Sequence, residues 1–310
     1  MRRGAMTDKR VLITGAAGYI ASQILPTFRE RYETVLLDVT DRDRQGRRVE
    51  GVAIADLIDP DRSKYARHFE GVDAVVHLGH KPRSGQPLDH FFDEKGNVEM
   101  AYNVFRAAYE AGVERVAMAS SNHAADWYEH ALIHRRKMEM LDPSRLPLSD
   151  NFYGWAKATY EHMGFLFACG MLGFQDESGR ERHVSGIAGG RKMGVVMVRI
   201  GAPRELDVSL YAGDPANYKR NLGAYISPRD LTQLFTRAIE APNIENEHGI
   251  PWQVVYGISD NARAFWSLAN ARAVLGYEPE DDSEVKYADD IRGFLSGEEA
   301  STGPGRLGPV

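Results

Sequence analysis

The sequence predicts an α/β fold: a doubly wound parallel sheet with a smaller lobe made from the C-terminal third. Short apolar runs alternate with helix-like stretches through the first two thirds of the chain. This alternation is typical of parallel strands joined by crossover helices. The first apolar run also stops at a glycine-rich turn, Thr14-Gly-Ala-Ala-Gly-Tyr-Ile-Ala21, which leads directly into a helix-like stretch.

The same pattern repeats along the chain. Strands are expected at 10–16, 34–39, 52–55, 74–78, 115–120 and 194–200, and helices at 19–32, 97–111 and 150–172. After residue 203 the alternation lapses, and the pieces at 229–241, 252–256 and 262–275 predict the smaller lobe. We therefore expect a first domain at 8–202, a lobe at 203–296 that is partly interleaved with the sheet domain, and a flexible tail at 297–310.

One segment of the first domain is predicted to be an insertion. Residues 173–194 are rich in glycine and charge, and the segment is longer than a helix-to-strand connection needs. A solvated loop, a subunit contact and an active-site flap all remain open as its role.

Composition excludes several classes of partner. With 43% hydrophobic and 26% charged residues the chain is typical of a soluble globular protein, and no apolar run approaches the ~20 residues of a membrane span. The single cysteine, Cys169, excludes an internal disulfide framework, and no secretory signal precedes the first strand, so a cytoplasmic location is expected. The net charge is −6 and the basic residues are dispersed, so the sequence shows no positively charged cluster of the kind that binds nucleic acid. None of the ten histidines shows a same-face pair flanked by a carboxylate that would suggest a metal site, and His130 and His134, which are four residues apart, lie in a charged stretch. We therefore expect no catalytic metal and a small molecule as the partner.

The glycine-rich turn is typical of a dinucleotide-binding site. Gly15 can take the tight turn, Gly18 lets a pyrophosphate approach the amides at the helix N-terminus, and Ala21 allows close packing of helix and strand. Asp38 ends the second strand at about the expected twenty-residue offset, where a carboxylate can accept hydrogen bonds from both ribose hydroxyls and would repel a 2′-phosphate. NAD is therefore the expected cofactor, in preference to NADP.

Two further segments follow strands on the cofactor side. Asp56 and Leu57 come just after the third strand, where they could hold the adenine amine and ring, or where the aspartate could simply cap a helix. Leu78, Gly79 and His80 end the fourth strand, where small residues allow the middle of the cofactor to lie against the backbone.

A third group of residues can handle a proton. Tyr153 and Lys157 are four residues apart in a predicted helix, so their side chains share one face, where the ammonium favours the phenolate. Ser120-Ser121-Asn122-His123 stands at the carboxyl end of a strand, the edge at which open α/β sheets bind ligands. A serine hydroxyl there can hydrogen-bond a substrate oxygen while the tyrosine exchanges its proton.

Taken in order, the glycine turn, the strand-end aspartate, the serine and Tyr-x-x-x-Lys resemble the extended short-chain dehydrogenase/reductase family, also called the NAD-dependent epimerase/dehydratase family, over roughly residues 9–293. The resemblance implies a Rossmann-like fold with a substrate-binding lobe, NAD as cofactor, and assembly as a homodimer or higher homo-oligomer. It implies that Tyr153 is the general acid/base and that Ser121 orients the substrate. Lys157 would lower the tyrosine pKa and hold the nicotinamide ribose, and Asn97 would lie near the cofactor, with helix capping as its alternative role. The expected cofactor contacts are Gly15, Gly18, Tyr19, Ile20, Asp38, Asp56, Leu57, Leu78, Gly79, His80, Asn97, Tyr153 and Lys157.

Within that family the chain is most similar to uronate dehydrogenases, through Ser-Ser-Asn-His, Tyr256-Gly-Ile-Ser-Asp-Asn-Ala-Arg-Ala-Phe-Trp266 and Leu275-Gly-Tyr-Glu-Pro279. This resemblance implies oxidation of the anomeric hydroxyl of a hexuronate to an aldarolactone. Ser121, Asn122 and His123 would bind the sugar, and Arg220 would bind its carboxylate. The chain departs from the subfamily at Ala202, which replaces a serine, in the loop after His80, and in the 173–194 insertion.

Other functions use the same constellation of residues. A sugar-nucleotide epimerase would retain its NAD and return the hydride, and a non-catalytic dinucleotide sensor could share the fold. A 4,6-dehydratase is disfavoured, because that chemistry needs an Asp-Glu pair where this chain has Asn122-His123.

Overall fold

The computed structural model describes residues 8–172, 190–211 and 214–296, and its centre is one seven-stranded sheet in which every neighbouring pair is parallel. The strands are β1 (Arg10–Thr14), β2 (Glu33–Asp38), β3 (Val52–Ile54), β4 (Ala74–His77), β5 (Arg115–Ser121), β6 (Gly194–Ile200) and β7 (Trp252–Gly257). Their order in the sheet is β3-β2-β1-β4-β5-β6-β7. The order reverses between β1 and β4, and this is the point at which a doubly wound sheet opens a crevice for ligands.

Helices cover both faces of the sheet. They are α1 (Tyr19–Arg31), α2 (His90–Glu110), α3 (Asp126–Tyr128), α4 (Phe152–Ala168), α5 (Pro215–Ala224), α6 (Pro228–Glu240), α7 (Ser283–Lys286) and α8 (Ala288–Ser296). α1 and α6 pack on one face, and α2 and α4 pack on the other. The central strands β4, β5 and β6 are buried nearly throughout, as expected for parallel strands between two helical layers.

Close packing of α4 depends on two glycines. A Cβ on Gly154 would come within 2.0 Å of the carbonyl oxygen of His123, and a Cβ on Gly164 within 2.9 Å of Val195 Cγ1. The first contact brings the start of α4 against the segment that follows β5, and the second brings its middle against β6. The helix that carries Tyr153 is therefore fixed against the carboxyl end of the sheet.

Two predicted elements have different bounds in the structure. The helix expected at 97–111 begins at His90, and the interruption by Gly96 together with the exposed side chain of Phe92 explains why its first turns carried no amphipathic pattern. The piece at 262–275 is irregular over its first half and becomes helical near its end, where residues 269–270 lead into a π-helical turn at Ala271–Leu275. Its backbone is held elsewhere, because Phe265 accepts from, and Ser267 donates to, the backbone of Leu141.

The C-terminal third contributes to two places. Its strand β7 pairs with β6 at the edge of the sheet, while a separate small cluster packs around Leu206, Tyr218 and Tyr287. The division into domains at 202 stays a prediction. Most of the predicted insertion, 173–189, and the predicted tail, 297–310, lie outside the described residues. Within the parts of the chain that are described, none of the helices combines the length and the apolar character needed to cross a bilayer.

Candidate active site

A cleft of about 1160 Å³ lies along the carboxyl ends of β1, β2, β4, β5 and β6. Fourteen of the seventeen predicted site residues line it: Gly15, Gly18, Tyr19, Ile20, Asp38, Asp56, Leu57, Leu78, Gly79, His80, Ser121, His123, Tyr153 and Lys157. The other three, Asn97, Asn122 and Arg220, are not on its wall. One continuous cleft thus joins the glycine turn to the tyrosine.

The glycine turn is shaped by contact between two backbones. Gly15 has φ +70°, and a Cβ there would lie 2.6 Å from the amide nitrogen of Gly79 in the loop after β4. Gly18 caps the N-terminus of α1, donates its N–H to the carbonyl oxygen of Gly15 at 3.0 Å, and would place a Cβ 3.0 Å from that oxygen. Residues without side chains therefore leave the start of α1 accessible to a phosphate group, as a dinucleotide requires.

Asp38 lies beside this turn, at the end of β2. Its Oδ2 accepts from the backbone N–H of Ala17 at 2.9 Å, and its Oδ1 accepts from that of Val39 at 2.7 Å. Oδ1 also accepts from the Thr40 N–H at 3.4 Å. These bonds fix the carboxylate at the cleft wall, and Oδ2 keeps a lone pair for a further donor. The turn and the carboxylate fit the pyrophosphate and the ribose of NAD.

On the adenine side of the cleft, Asp56 also stabilises the backbone. Asp56 Oδ1 accepts from the backbone N–H of Ile58 at 2.9 Å, so the carboxylate also closes the turn after β3. Leu57 is buried, and its carbonyl oxygen accepts from Asn103 on α2 at 2.9 Å. The predicted cap role of Asp56 is therefore present as a turn contact, and both residues face the cleft.

Tyr153, Ser121 and Lys157 meet at the other end of the cleft. The hydroxyl of Ser121 interacts with the phenol of Tyr153 and acts to lower the pKa of that phenol. Lys157 Nζ lies 5.6 Å from the centre of the Tyr153 ring and donates to the carbonyl oxygen of Ala119 at 2.9 Å. Asn151 caps α4 by accepting from the N–H of Gly154 at 2.9 Å, which fixes the first turn of the helix that carries the tyrosine.

The electrostatics at Tyr153 differ from the expectation. Burial raises the pKa of Tyr153 above its usual value, and the hydrogen bond from Ser121 and the charge of Arg83 oppose that rise. Burial also lowers the pKa of Lys157 to about 8. The expected net lowering of the tyrosine pKa by Lys157 is thus absent, because in this structure desolvation of the phenolate outweighs the nearby positive charges.

Two histidines flank the tyrosine. The His80 ring lies 5.3 Å and the His123 ring 5.6 Å from that of Tyr153, both edge to face. His80 opens onto the cleft; desolvation by the walls and the charge of Lys157 lower its pKa, which keeps the imidazole neutral near pH 7. His123 Nδ1 lies 2.7 Å from Oδ2 of the buried Asp126, so this carboxylate fixes the orientation of the His123 ring.

Comparison with known proteins identifies the family. The model of the NAD dependent epimerase/dehydratase family matches residues 11–168, just over half of the chain. The chain belongs to the NAD dependent epimerase/dehydratase family. It is 34% identical to an NAD-dependent glucose-6-phosphate dehydrogenase of Haloferax volcanii, over 89% of this chain and 95% of that protein. It is 30% identical to a uronate dehydrogenase of Pseudomonas syringae, over 89% of this chain and 83% of that one.

The fold agrees with these relatives. The crystal structure of uronate dehydrogenase from Agrobacterium tumefaciens superposes with a TM-score of 0.66 at 25% identity, covering 96% of this chain and 92% of that one. The Rossmann-like fold, the similarity to uronate dehydrogenases and the use of NAD are confirmed. The chain is an NAD-dependent dehydrogenase of this family.

In this dehydrogenase Arg220, which was predicted to bind the substrate carboxylate, is already paired with an acidic side chain of the protein. Arg220 Nε and Nη2 lie 2.7 and 3.1 Å from the two carboxylate oxygens of Glu129, whose side chain is 3% exposed. The guanidinium also stacks on Trp266, with 5.4 Å between its carbon and the ring centre. Arg220 lies outside the cleft wall because this acid-base pair holds it inside the protein.

Asn122 is held in the same arrangement. Its amide nitrogen can donate to the carbonyl oxygen of Ile200 at 3.0 Å while its amide oxygen accepts from Arg220 Nη2 at 2.7 Å. The residue is 2% exposed. The structure therefore places Asn122 as a link between the ends of β5 and β6, and the expectation that it faces a sugar is not met in this arrangement.

Asn97 lies inside α2, so the alternative role as a helix cap is wrong. Its amide forms two hydrogen bonds with the backbone of Lys81: Oδ1 accepts from the Lys81 N–H at 2.7 Å, and Nδ2 donates to the Lys81 carbonyl oxygen at 3.0 Å. Asn97 thereby fixes the loop after β4, which forms one wall of the cleft.

That loop also carries a residue that the sequence analysis passed over. Arg83 lines the cleft, and its guanidinium carbon is 5.0 Å from the centre of the Tyr153 ring. Its only signal was position, three residues beyond His80 in the segment that departs from the subfamily. In the described part of the chain, no cluster of three or more histidine, cysteine, aspartate or glutamate side chains could hold a metal ion.

Proposed function

We propose that the dehydrogenase oxidises a hydroxyl of a sugar or sugar acid, and that its substrate is a hexuronate, whose anomeric hydroxyl becomes the carbonyl of an aldarolactone. The observation that carries this proposal is that Tyr153 and Ser121 line the same cleft as the glycine turn and Asp38. The relatives support a sugar substrate, because they are named as dehydrogenases of uronate, glucose 6-phosphate and L-arabinose.

The residues of this chain act on the proton and on the position of the sugar. NAD⁺ supplies the hydride acceptor when it is bound. The ionised form of Tyr153 accepts the proton of the substrate hydroxyl, and because burial raises the pKa of this phenol we expect turnover to increase with rising pH. Ser121 donates a hydrogen bond that aligns the same oxygen. His123, oriented by Asp126, presents its ring edge to the sugar, and Lys157 holds the ribose next to the tyrosine. Positioning of the reacting carbon supplies much of the rate.

Assembly as a homodimer or higher homo-oligomer stays a prediction, and we propose the long helices α2 and α4 as its surface. α2 and α4 pack against each other, and their outer surfaces carry the exposed aromatic side chains of Phe92 and Trp155. These side chains support an interface on this face.

The substrate test is NADH formation with D-glucuronate, D-galacturonate, D-glucose 6-phosphate, L-arabinose and D-glucose. Turnover fastest with the hexuronates supports the proposal, whereas turnover only with the neutral sugars contradicts the hexuronate assignment. Protein that is isolated with bound NAD, forms no NADH and interconverts sugar nucleotides would identify the epimerase instead.

Tyr153→Phe tests the chemistry. We expect kcat to fall by about 10³-fold, within the 10²–10⁴-fold range of general acid–base catalysis, while NAD affinity stays nearly unchanged. Tyr102→Phe is the matched control, because this exposed tyrosine on α2 bonds only Arg106 among the described residues and lies off the cleft wall. Near-full turnover by Tyr153→Phe would refute the assignment of the tyrosine.

A further inference from the structure

The cationic side chains on the cleft wall differ in how far they are already engaged. Arg42 donates to the carbonyl oxygen of Gly46 at 2.9 Å, and Arg44 stacks on Tyr19 with 5.0 Å between its carbon and the ring centre. These arginines belong to the cofactor end, beside Asp38. The other cations on the cleft wall are Lys81 and Arg83 in the loop after β4, Lys157, and Arg204 after β6, whose Nε is buried without a hydrogen-bond partner in the described chain.

Both cations in that loop face an acid on α2, at different distances. Lys81 Nζ lies 3.0 Å from Oδ1 of Asp93. Arg83 forms a longer ion pair, since its Nε lies 3.8 Å from Oε1 of Glu94, beyond hydrogen-bond range. Within residues 8–172, 190–211 and 214–296, no acceptor forms a hydrogen bond with the Arg83 guanidinium. Its side chain is nevertheless only 19% exposed.

A partly buried guanidinium with free donors is unfavourable unless an anion completes its bonds. Glu94 supplies a charge at 3.8 Å but no hydrogen bond: its side chain is 0% exposed and its Oε1 has no hydrogen-bond partner in the described chain. Burial raises the pKa of Glu94 above its usual value. The free donors of Arg83 therefore remain available inside the cleft, next to Tyr153.

The backbone on both sides of Arg83 is fixed to α2. Asn97 grips the N–H and the carbonyl oxygen of Lys81, and Asp93 Oδ2 accepts from the N–H of Ser84 at 2.7 Å and from its hydroxyl at 2.8 Å. A rigid backbone lowers the entropy lost when a side chain binds a ligand. The loop thus holds Arg83 ready at the substrate end of the cleft.

We propose that Arg83 binds the acidic group of the substrate, in the role that the resemblance to uronate dehydrogenases gave to Arg220. This inference rests on the proposed sugar oxidation. A guanidinium can hold a carboxylate or a phosphate through two parallel hydrogen bonds, so the ligand is an anionic hexose, either a hexuronate or a hexose phosphate. Arg220 cannot take this role while it holds Glu129 bidentately.

The experiment compares Arg83→Gln, Arg220→Gln and wild type on D-glucuronate, D-glucose 6-phosphate and D-glucose. Arg83→Gln should lower kcat/KM about 100-fold for the preferred anionic sugar, mainly through KM, and less than about threefold for glucose, because only the anion loses its partner. The sugar with the larger loss shows whether carboxylate or phosphate is the natural ligand. Arg83→Lys should recover part of the loss, since lysine keeps the positive charge but cannot form two parallel hydrogen bonds. Arg67→Gln, at an exposed arginine of the short helix Ala66–Phe69, is the matched control.

The outcomes separate this inference from the proposed function. If wild type oxidises hexuronates and Arg83→Gln does so equally well, or loses the same factor on glucose, the inference is overturned and the function stands. A selective loss in Arg220→Gln alone also overturns it. If wild type oxidises no sugar, the proposed function fails, and calorimetric titration of D-glucuronate and D-glucose 6-phosphate decides the inference. Binding to wild type and Arg67→Gln that is lost in Arg83→Gln supports it, and absence of binding to wild type overturns it.

Discussion

The two ends of the cleft differ in how well the family motifs predict where their residues lie. At the cofactor end, Gly15, Gly18 and Asp38 all line the wall in the arrangement that a dinucleotide needs. At the substrate end, Asn122 and Arg220 are turned inward and bind each other and the protein. A motif that specifies a backbone shape predicts the local geometry directly. The role of a long side chain depends instead on which neighbours the rest of the chain places around it.

The neighbours explain the difference. Gly15 is required by a contact with Gly79, and that contact follows from the adjacency of β1 and β4 in the sheet. Arg220 meets Glu129 only because α5 lies against the π-helical turn Glu129–Ile133, which no family motif specifies. Three predictions test this contrast.

The largest effect is expected from Arg220→Gln at the substrate end. The substitution leaves the buried carboxylate of Glu129 without its main cation, and breaking a buried ion pair in this way costs about 3–5 kcal/mol of unfolding free energy. The double variant Arg220→Gln with Glu129→Gln should regain much of that loss, because no unpaired charge remains. Denaturant unfolding of the two single variants and the double variant measures the coupling.

For activity, Arg220→Gln should reduce kcat/KM by the same factor for acidic and neutral sugars, since its work is structural. A stable Arg220→Gln enzyme that selectively loses hexuronates would show that the arginine leaves Glu129 to bind substrate. The contrast between the two ends of the cleft would then fail.

The second prediction concerns the cofactor end. Gly15→Ala should weaken NAD binding at least about 100-fold, or about 2.7 kcal/mol, because the new Cβ must push the loop after β4 away from the turn. Gly249→Ala is the control: its φ of +67° imposes similar backbone strain, about 1–2 kcal/mol, but its Cβ would meet nothing within 4 Å. Calorimetric NAD titration separates the two effects, and equal NAD affinity in both variants would contradict the close-approach argument.

Much of the framework could be predicted from the sequence because its signals are local. The strand ends at Thr14, Asp38 and Ser121 follow from apolar runs that stop at small or polar residues, and the parallel order follows from the alternation with helices. The start of α2 was missed by seven residues, because a helix whose first turn exposes Phe92 shows no apolar face there.

The substrate end could not be predicted in the same way because its contacts are distant in sequence. Glu129 and Arg220 are 91 residues apart, and Arg83 reaches Tyr153 from the loop after His80, 70 residues earlier in the chain, which no family motif covers. A single sequence shows which side chains are present but does not show which of them neutralise one another. The net rise in the pKa of Tyr153 has the same origin, since burial is a property of the assembled fold.

The smallest effect is expected from Asp38→Asn. The amide oxygen can accept from the Ala17 N–H, while the bond from the Val39 N–H is lost because the amide NH2 cannot accept, and the negative charge that would repel a 2′-phosphate is removed. The NAD-to-NADP ratio of kcat/KM should fall about tenfold, or about 1.4 kcal/mol, and the charge of Arg44 at the same wall would favour the phosphate. Asp41→Asn, which removes a charge paired with Arg48 away from the cleft wall, should leave the ratio unchanged. If both variants shift the ratio equally, the total charge near the cleft sets the choice of cofactor, and the position of Asp38 does not. The family motif would then predict the cofactor end no better than it predicts the substrate end.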